Sequence, residues 1–155
     1  MKTVSISFLL LICVATTSMG QTHQLNDSQK LTGVTVMAFG PENVLFIGNS
    51  KEAKVHAVKT EAIPLAQPIP YNMEGFDQMI SEKLGITPRE VIVADMKIHP
   101  VSQEAYVAIR LGHRPDAKYV VSIIHPATRA IRFLEVNNAN STSVELNNPA
   151  SDDLF

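Results

Sequence analysis

The chain has no tryptophan, and its only cysteine is Cys13, near the N-terminus. Without tryptophan there is no Trp-Asp dipeptide, which excludes a WD40 repeat in the strict sense. With no thiol beyond Cys13, the rest of the chain has neither a disulfide nor a cysteine nucleophile, and packing alone must stabilise it. The 7 glycines are scattered and never fall as Gly-x-Gly-x-x-Gly, so no loop is built to cradle phosphates. Gly-x-Ser-x-Gly, the nucleophile elbow of serine hydrolases, is also missing. The 5 histidines (His23, His56, His99, His113 and His125) contain no His-x-x-x-His pair with a neighbouring Glu, as a zinc protease requires. No cofactor or metal is expected from these patterns.

Charge is equally sparse. Lys and Arg number 13 against 15 Asp and Glu, a formal charge of −2. That balance disfavours nucleic acid or an anionic membrane surface as a partner. Met1-Lys2, the apolar run Ile6–Ala15 and the small residues of Ser18-Met19-Gly20 have the order of a secretory signal, with cleavage expected after Gly20. Ile12 before Cys13 is not the small residue that lipoprotein processing takes. No later stretch approaches the roughly 20 apolar residues of a membrane helix. A secreted or periplasmic protein, off the membrane once the signal is removed, is the expectation. Lys2 leaves with the signal, so the remaining chain is more acidic still.

What is present is short strands and turns. Residues 21–30 are polar and unpatterned and read as a flexible leader. Residues 34–58 then read as three strands of an antiparallel meander: Val34–Phe39, Val44–Ile47 and Val55–Val58. Gly40-Pro41-Glu42-Asn43 and Gly48-Asn49-Ser50-Lys51 supply the turns. Pro64, Pro68 and Pro70 exclude a helix or a central strand over 60–71, leaving a loop with a possible edge strand. A helix is predicted from a cap at Asn72 to a stop at Gly85, with Met73, Phe76, Ile80 and Leu84 on one face. Thr87-Pro88-Arg89-Glu90 has capping-box spacing. A strand follows at Val91–Ala94. Residues 96–109 repeat the first meander: Met37, Phe39, Pro41, Phe46 and Ile47 correspond to Met96, Ile98, Pro100, Tyr106 and Val107, with one extra residue in the second turn. Tyr119–Ile124 and Ile131–Val136 continue the pattern.

The run 96–109, Met-Lys-Ile-His-Pro-Val-Ser-Gln-Glu-Ala-Tyr-Val-Ala-Ile, resembles the strand–His-Pro turn–Tyr-Val strand of secreted β-propellers of the YVTN and NHL kind, and 39–50 is similar to an opening blade. The resemblance covers 31–146 and implies a mainly β fold of four-stranded antiparallel blades, with a helical insertion at 72–90 and an incomplete ring. Propellers take roughly four to eight blades. At roughly 40–45 residues each, this length holds two, so residues 147–155 are expected to be a tail or a truncation point in a longer protein.

The resemblance places candidate ligand-binding residues on loops at one end of a channel: Asp95, His99, Arg110, His113 and Asp116. The structural alternative is that Asp95 accepts backbone hydrogen bonds, that Arg110 pairs with Asp116 on the surface, and that His99 and His125 bond the backbone of the turns they open. Asn26-Asp27-Ser28 and Asn140-Ser141-Thr142 match the N-glycosylation pattern. The expected function is a binding or scaffold module for a protein, glycan or small-molecule ligand. The alternative is part of a propeller hydrolase or lactonase-type enzyme that holds a divalent cation through Asp95 and other acidic loop residues expected in the rest of a longer protein.

Overall fold

The computed structural model describes residues 22–147. The expected signal peptide at 1–20 and residues 148–155 of the expected tail lie outside them. The described residues are mainly β, with two four-stranded antiparallel sheets and one helix.

The first sheet is ordered β1 (Val36–Phe39), β2 (Val44–Asn49), β3 (Lys54–Lys59) and β8 (Ser141–Glu145). The second is ordered β4 (Val91–Ile98), β5 (Ala105–Leu111), β6 (Lys118–Ile124) and β7 (Ile131–Phe133). All pairings are antiparallel. The first sheet is therefore not contiguous in sequence: its outer strand β8 comes from the segment after the second sheet. Residues 60–71 form the expected loop, without the edge strand that was possible there.

Period-two alternation decides what each strand buries. Met37, Leu45, Ile47 and Val58 from the first sheet meet Tyr106, Ala108, Val121 and Ile123 from the second in one apolar layer. On the second sheet's far face Ala105, Val107, Ile109, Val120 and Ile124 form a second layer, covered by α1 (Phe76–Leu84) through Ile80 and the partly buried Phe76 and Leu84. Among the described residues nothing covers the outer face of the first sheet, leaving Val36, Phe46 and Val144 exposed.

The helix starts three residues later than a cap at Asn72 would place it. Gly75 takes a left-handed conformation (φ 65°) at the N-cap, which only glycine adopts without cost, so Met73 and Glu74 stay outside the helix. Met73 still packs on the apolar layer. Gly85 ends the helix as expected, left-handed at φ 68°. The capping box forms: the Thr87 N–H and hydroxyl both donate to Glu90 Oε2. Residues 22–30, read as a flexible leader, are tied along the second sheet. His23 N–H donates to Lys83 O and its ring stacks on Phe133. Leu31 and Tyr119 exchange backbone hydrogen bonds, so Leu31 extends the edge of β6 beyond β7.

Strand β4 runs on where two separate strands were read. A bulge at Ala94 carries it through: Val93 faces Ile109 and Asp95 faces Ala108, with Ala94 unpaired between them. The extra residue changes the face on which the next side chain emerges, as bulges do. Asp95 is thereby turned toward the first sheet.

Burial ranks the expected cost of substitution. Ile47→Ala and Ile80→Ala, both at fully buried positions, are each expected to destabilise the protein by about 3 kcal/mol. Val144→Thr, on the exposed face, should stay within about 0.5 kcal/mol of wild type. Urea unfolding midpoints check the ranking. A cost for Ile80→Ala as small as that for Val144→Thr would mean that α1 is not part of the cooperative core.

Candidate functional site

The five candidate residues separate into three places. Asp95 lies mid-strand, between the sheets. Its Oδ2 accepts the Met37 N–H at 2.7 Å, and its Oδ1 accepts the Met96 N–H and the Lys97 ammonium, each at 2.7 Å. Met37 sits on β1, whose outer side is a sheet edge, so the carboxylate satisfies an edge donor and links the two sheets. Burial pushes the Asp95 carboxyl up, but the Lys97 ammonium and the two amides outweigh it and hold it below its ordinary value. Both oxygens are engaged by the protein.

His99 is fully buried at the end of the sheets where the β4–β5 hairpin turns. Its Nδ1 accepts the N–H groups of Val101 and Ser102 at 3.1 Å. That fixes the proton on Nε2, 3.1 Å from Thr60 Oγ1, and Thr60 in turn donates to Asn43 O. His125 builds the same turn between β6 and β7, with Nδ1 accepting from Ala127 and Thr128 at 3.3 Å. Both loops close through a residue at positive φ, Gln103 at 55° and Arg129 at 57°. The two His-Pro dipeptides thus encode one turn twice, as expected of His residues that open turns.

Beside His99 lies a polar cluster that sequence spacing did not single out. Glu104, 6% exposed, takes both Nη groups of Arg132 and the Ser102 hydroxyl. Tyr71 Oη accepts the Ala105 N–H at 2.8 Å and lies 2.8 Å from Gln103 O and 2.9 Å from Ile124 O. Burial raises the Glu104 carboxyl, and Arg132 and Ser102 more than reverse that. With His99 0% and Tyr106 1% exposed, the interior at this end is sealed beneath the solvent-reaching Arg132 side chain. Glu104 and Arg132 are 28 residues apart, and only the β5–β6–β7 pairing brings them together.

Arg110 and His113 meet at the opposite end, and Asp116 lies close by. There the sheets part around a cleft of about 760 Å³ lined by Thr32 to Thr35, Ser50, Lys51, Arg110, His113, Pro115 and Tyr119. Arg110 Nη2 donates to His113 O at 3.0 Å and Arg114 O at 2.9 Å, rather than to Asp116. His113 Nε2 donates to Arg89 O at 2.9 Å. Asp116 lines a neighbouring groove that shares His113. The walls are fixed from beneath: buried Asn49 donates to Thr32 Oγ1 and accepts the Glu52 N–H. A Cβ on Gly33 would stand 2.8 Å from Asn49 Oδ1, so the close approach requires glycine. Thr35 and Ser50 share a hydroxyl hydrogen bond of 2.7 Å. Among the described residues no group of three or more His, Cys, Asp and Glu is arranged to hold a metal ion.

Two predictions follow from this chemistry. Asp95→Ala leaves the Met37 amide without its acceptor and should cost about 1–3 kcal/mol. Amide exchange at Met37 should accelerate by more than the global stability loss explains, and equal acceleration at Met37 and at core amides would contradict the edge-locking role. The second concerns pH. Burial pulls His99 and His56 below the ordinary 6.5, so each favours the folded state above that value and opposes it as pH falls. Glu104 and Asp95 are held below their ordinary carboxyl values, and the stability they supply is lost only at lower pH, as they protonate. Urea midpoints should therefore fall in two stages. His99→Gln, which keeps an acceptor at the turn, should flatten the first stage, and an unchanged slope between pH 7 and 5 would contradict this.

No protein-family model, curated protein or solved structure matches this chain.

Proposed function

We propose that this chain is an exported binding or scaffold module, built from two propeller-like blades, that recognises its ligand in the cleft between the sheets. The observation that carries the functional reading is the cleft itself. Its volume lies in the range of small-ligand sites, it opens between two rigid sheets, and hydroxyls, cations and one aromatic ring line it over an apolar floor.

The blade reading is supported by the faces that equivalent residues present. Met37 pairs with Ile47 and Met96 with Val107, so the repeat preserves register. Yet Met37 and Ile47 look toward the second sheet, while Val107 looks away from the first toward the helix. Likewise Tyr106 is buried between the sheets, whereas its counterpart Phe46 is exposed on the outer face. Each sheet therefore turns the same face in the same direction. That head-to-tail stacking is how blades follow one another around an axis, and a sandwich related by a two-fold would instead bring equivalent faces together. The apolar outer face of the first sheet also fits this reading, since a ring covers it with a neighbouring blade. In the second sheet, α1 lies where a third blade would pack.

The hydrolase reading is weaker on geometry. It needs Asp95 as a cation ligand, and both Asp95 oxygens are already occupied by protein donors. Amide-shift mapping with a small-fragment library and with Ca²⁺ separates the readings. Saturable shifts confined to 32–35, 50–51 and 110–119 are expected with fragments. Calcium-dependent shifts centred on Asp95 and Met37 would overturn the binding-module reading in favour of the enzyme.

A further inference from the structure

We infer that the cleft takes its ligand by an oxyanion, a phosphate, sulfate or carboxylate group held by Lys51 and Arg110; the inference rests on the reading of the cleft as the recognition site. Lys51 and Arg110 are the formally charged side chains in its lining, and both are cationic. Each is positioned by neutral acceptors. Lys51 Nζ donates to Pro115 O at 3.0 Å, and Arg110 Nη2 to the carbonyls of His113 and Arg114. A carbonyl fixes where a cation stands without cancelling its charge. Among the described residues neither cation pairs with a carboxylate.

The sealed end of the same molecule shows the other arrangement. There Arg132 is neutralised by Glu104 through a two-point pair. At the cleft, Arg110 keeps Nη1 and Nε, and Lys51 keeps the remaining hydrogens of its ammonium. These are the planar and point donors that suit oxyanions. The Thr35–Ser50 hydroxyl pair leaves one O–H free to donate on the same wall. The apolar floor of Val34 and Tyr119 lowers the local dielectric, which strengthens an ion contact above it. The nearby carboxylates are directed elsewhere: Glu52 accepts the Thr32 hydroxyl and lies 3.7 Å from Lys54, and Asp116 lines the adjoining groove.

The test is an amide-shift titration of ¹⁵N-labelled protein at low ionic strength with inorganic phosphate, sulfate and acetate. Chloride at matched ionic strength and a neutral sugar, methyl α-glucoside, serve as controls. Saturable shifts at 32–35, 50–51 and 110–119 are expected with at least one oxyanion, and the order among the three identifies the preferred group. Lys51→Gln should weaken that binding about tenfold, which corresponds to one lost contact on the affinity scale. Lys51→Glu should abolish it, and Lys59→Gln should leave it unchanged. Lys51 is exposed, so its variants should fold even where an Arg110→Gln variant loses the loop it supports. Shifts that chloride reproduces, or that Lys51→Gln leaves intact, overturn the inference. If the neutral sugar saturates the cleft amides and no oxyanion does, the cleft remains a recognition site while the oxyanion assignment falls. If neither moves them, both readings fall together.

Discussion

Met37, Leu45, Ile47 and Val58 leave water only by meeting Tyr106, Ala108, Val121 and Ile123 across the gap between the sheets. No disulfide is available to the described residues, so this apolar layer is what holds one sheet against the other. A fully buried side chain of this size gains roughly 1.5–3 kcal/mol over an exposed one, which makes the layer the largest favourable term between the sheets. Its geometry constrains everything else. The sheets can stack only if their facing strands present alternating apolar residues in register, and only if the free edge of β1 is satisfied where it runs beside β4. The Ala94 bulge supplies the second condition by turning Asp95 toward Met37. One extra residue in one strand therefore serves both as an irregularity in the second sheet and as a lock on the first.

Those requirements explain which parts of the fold were legible in the sequence. Central strands announce themselves through β-branched and aromatic residues: β2, β5 and β6 lie where Val44–Ile47, Tyr106–Val107 and Tyr119–Ile124 indicated. The His-Pro turns were legible too, because an imidazole that accepts two backbone N–H groups needs only local sequence around it. Strand β8 was missed. Ser-Thr-Ser-Val-Glu carries one apolar residue, and as an edge strand it buries little and pairs through its backbone. The helix start was displaced by Gly75, since a cap argued from Asn72 does not register a left-handed glycine three residues on. The bulge has no local signature at all: Val-Ala-Asp-Met reads equally well as a strand end or as a continuous strand.

The candidate residues divide along the same line. Arg110 and His113 come together because the β5–β6 loop returns within a few residues, a local event that spacing can suggest. Asp95 and His99 do not join them: the bulge points one between the sheets, and the other closes the opposite end. Glu104 and Arg132 pair beside His99, and Tyr71 bonds the neighbouring backbone, yet no two of these three are close in sequence. A network assembled by sheet pairing becomes visible only when the pairing is known.

The two ends of the molecule therefore use similar residues to opposite effect. At the sealed end the buried carboxylate is matched within the protein: Glu104 meets Arg132, and His99 Nδ1 accepts two amides. Removing Arg132 would leave Glu104 as an uncompensated buried charge, so the pair is costly to break. At the open end the cations are anchored on peptide carbonyls, an arrangement that fixes loops 50–51 and 110–115 without neutralising them. Like charges converging on one cleft repel one another. A carboxylate between them would relieve that repulsion. None of the cleft-lining residues supplies one. The two cations therefore stand on a concave wall open to solvent, where an incoming anion can pair with both.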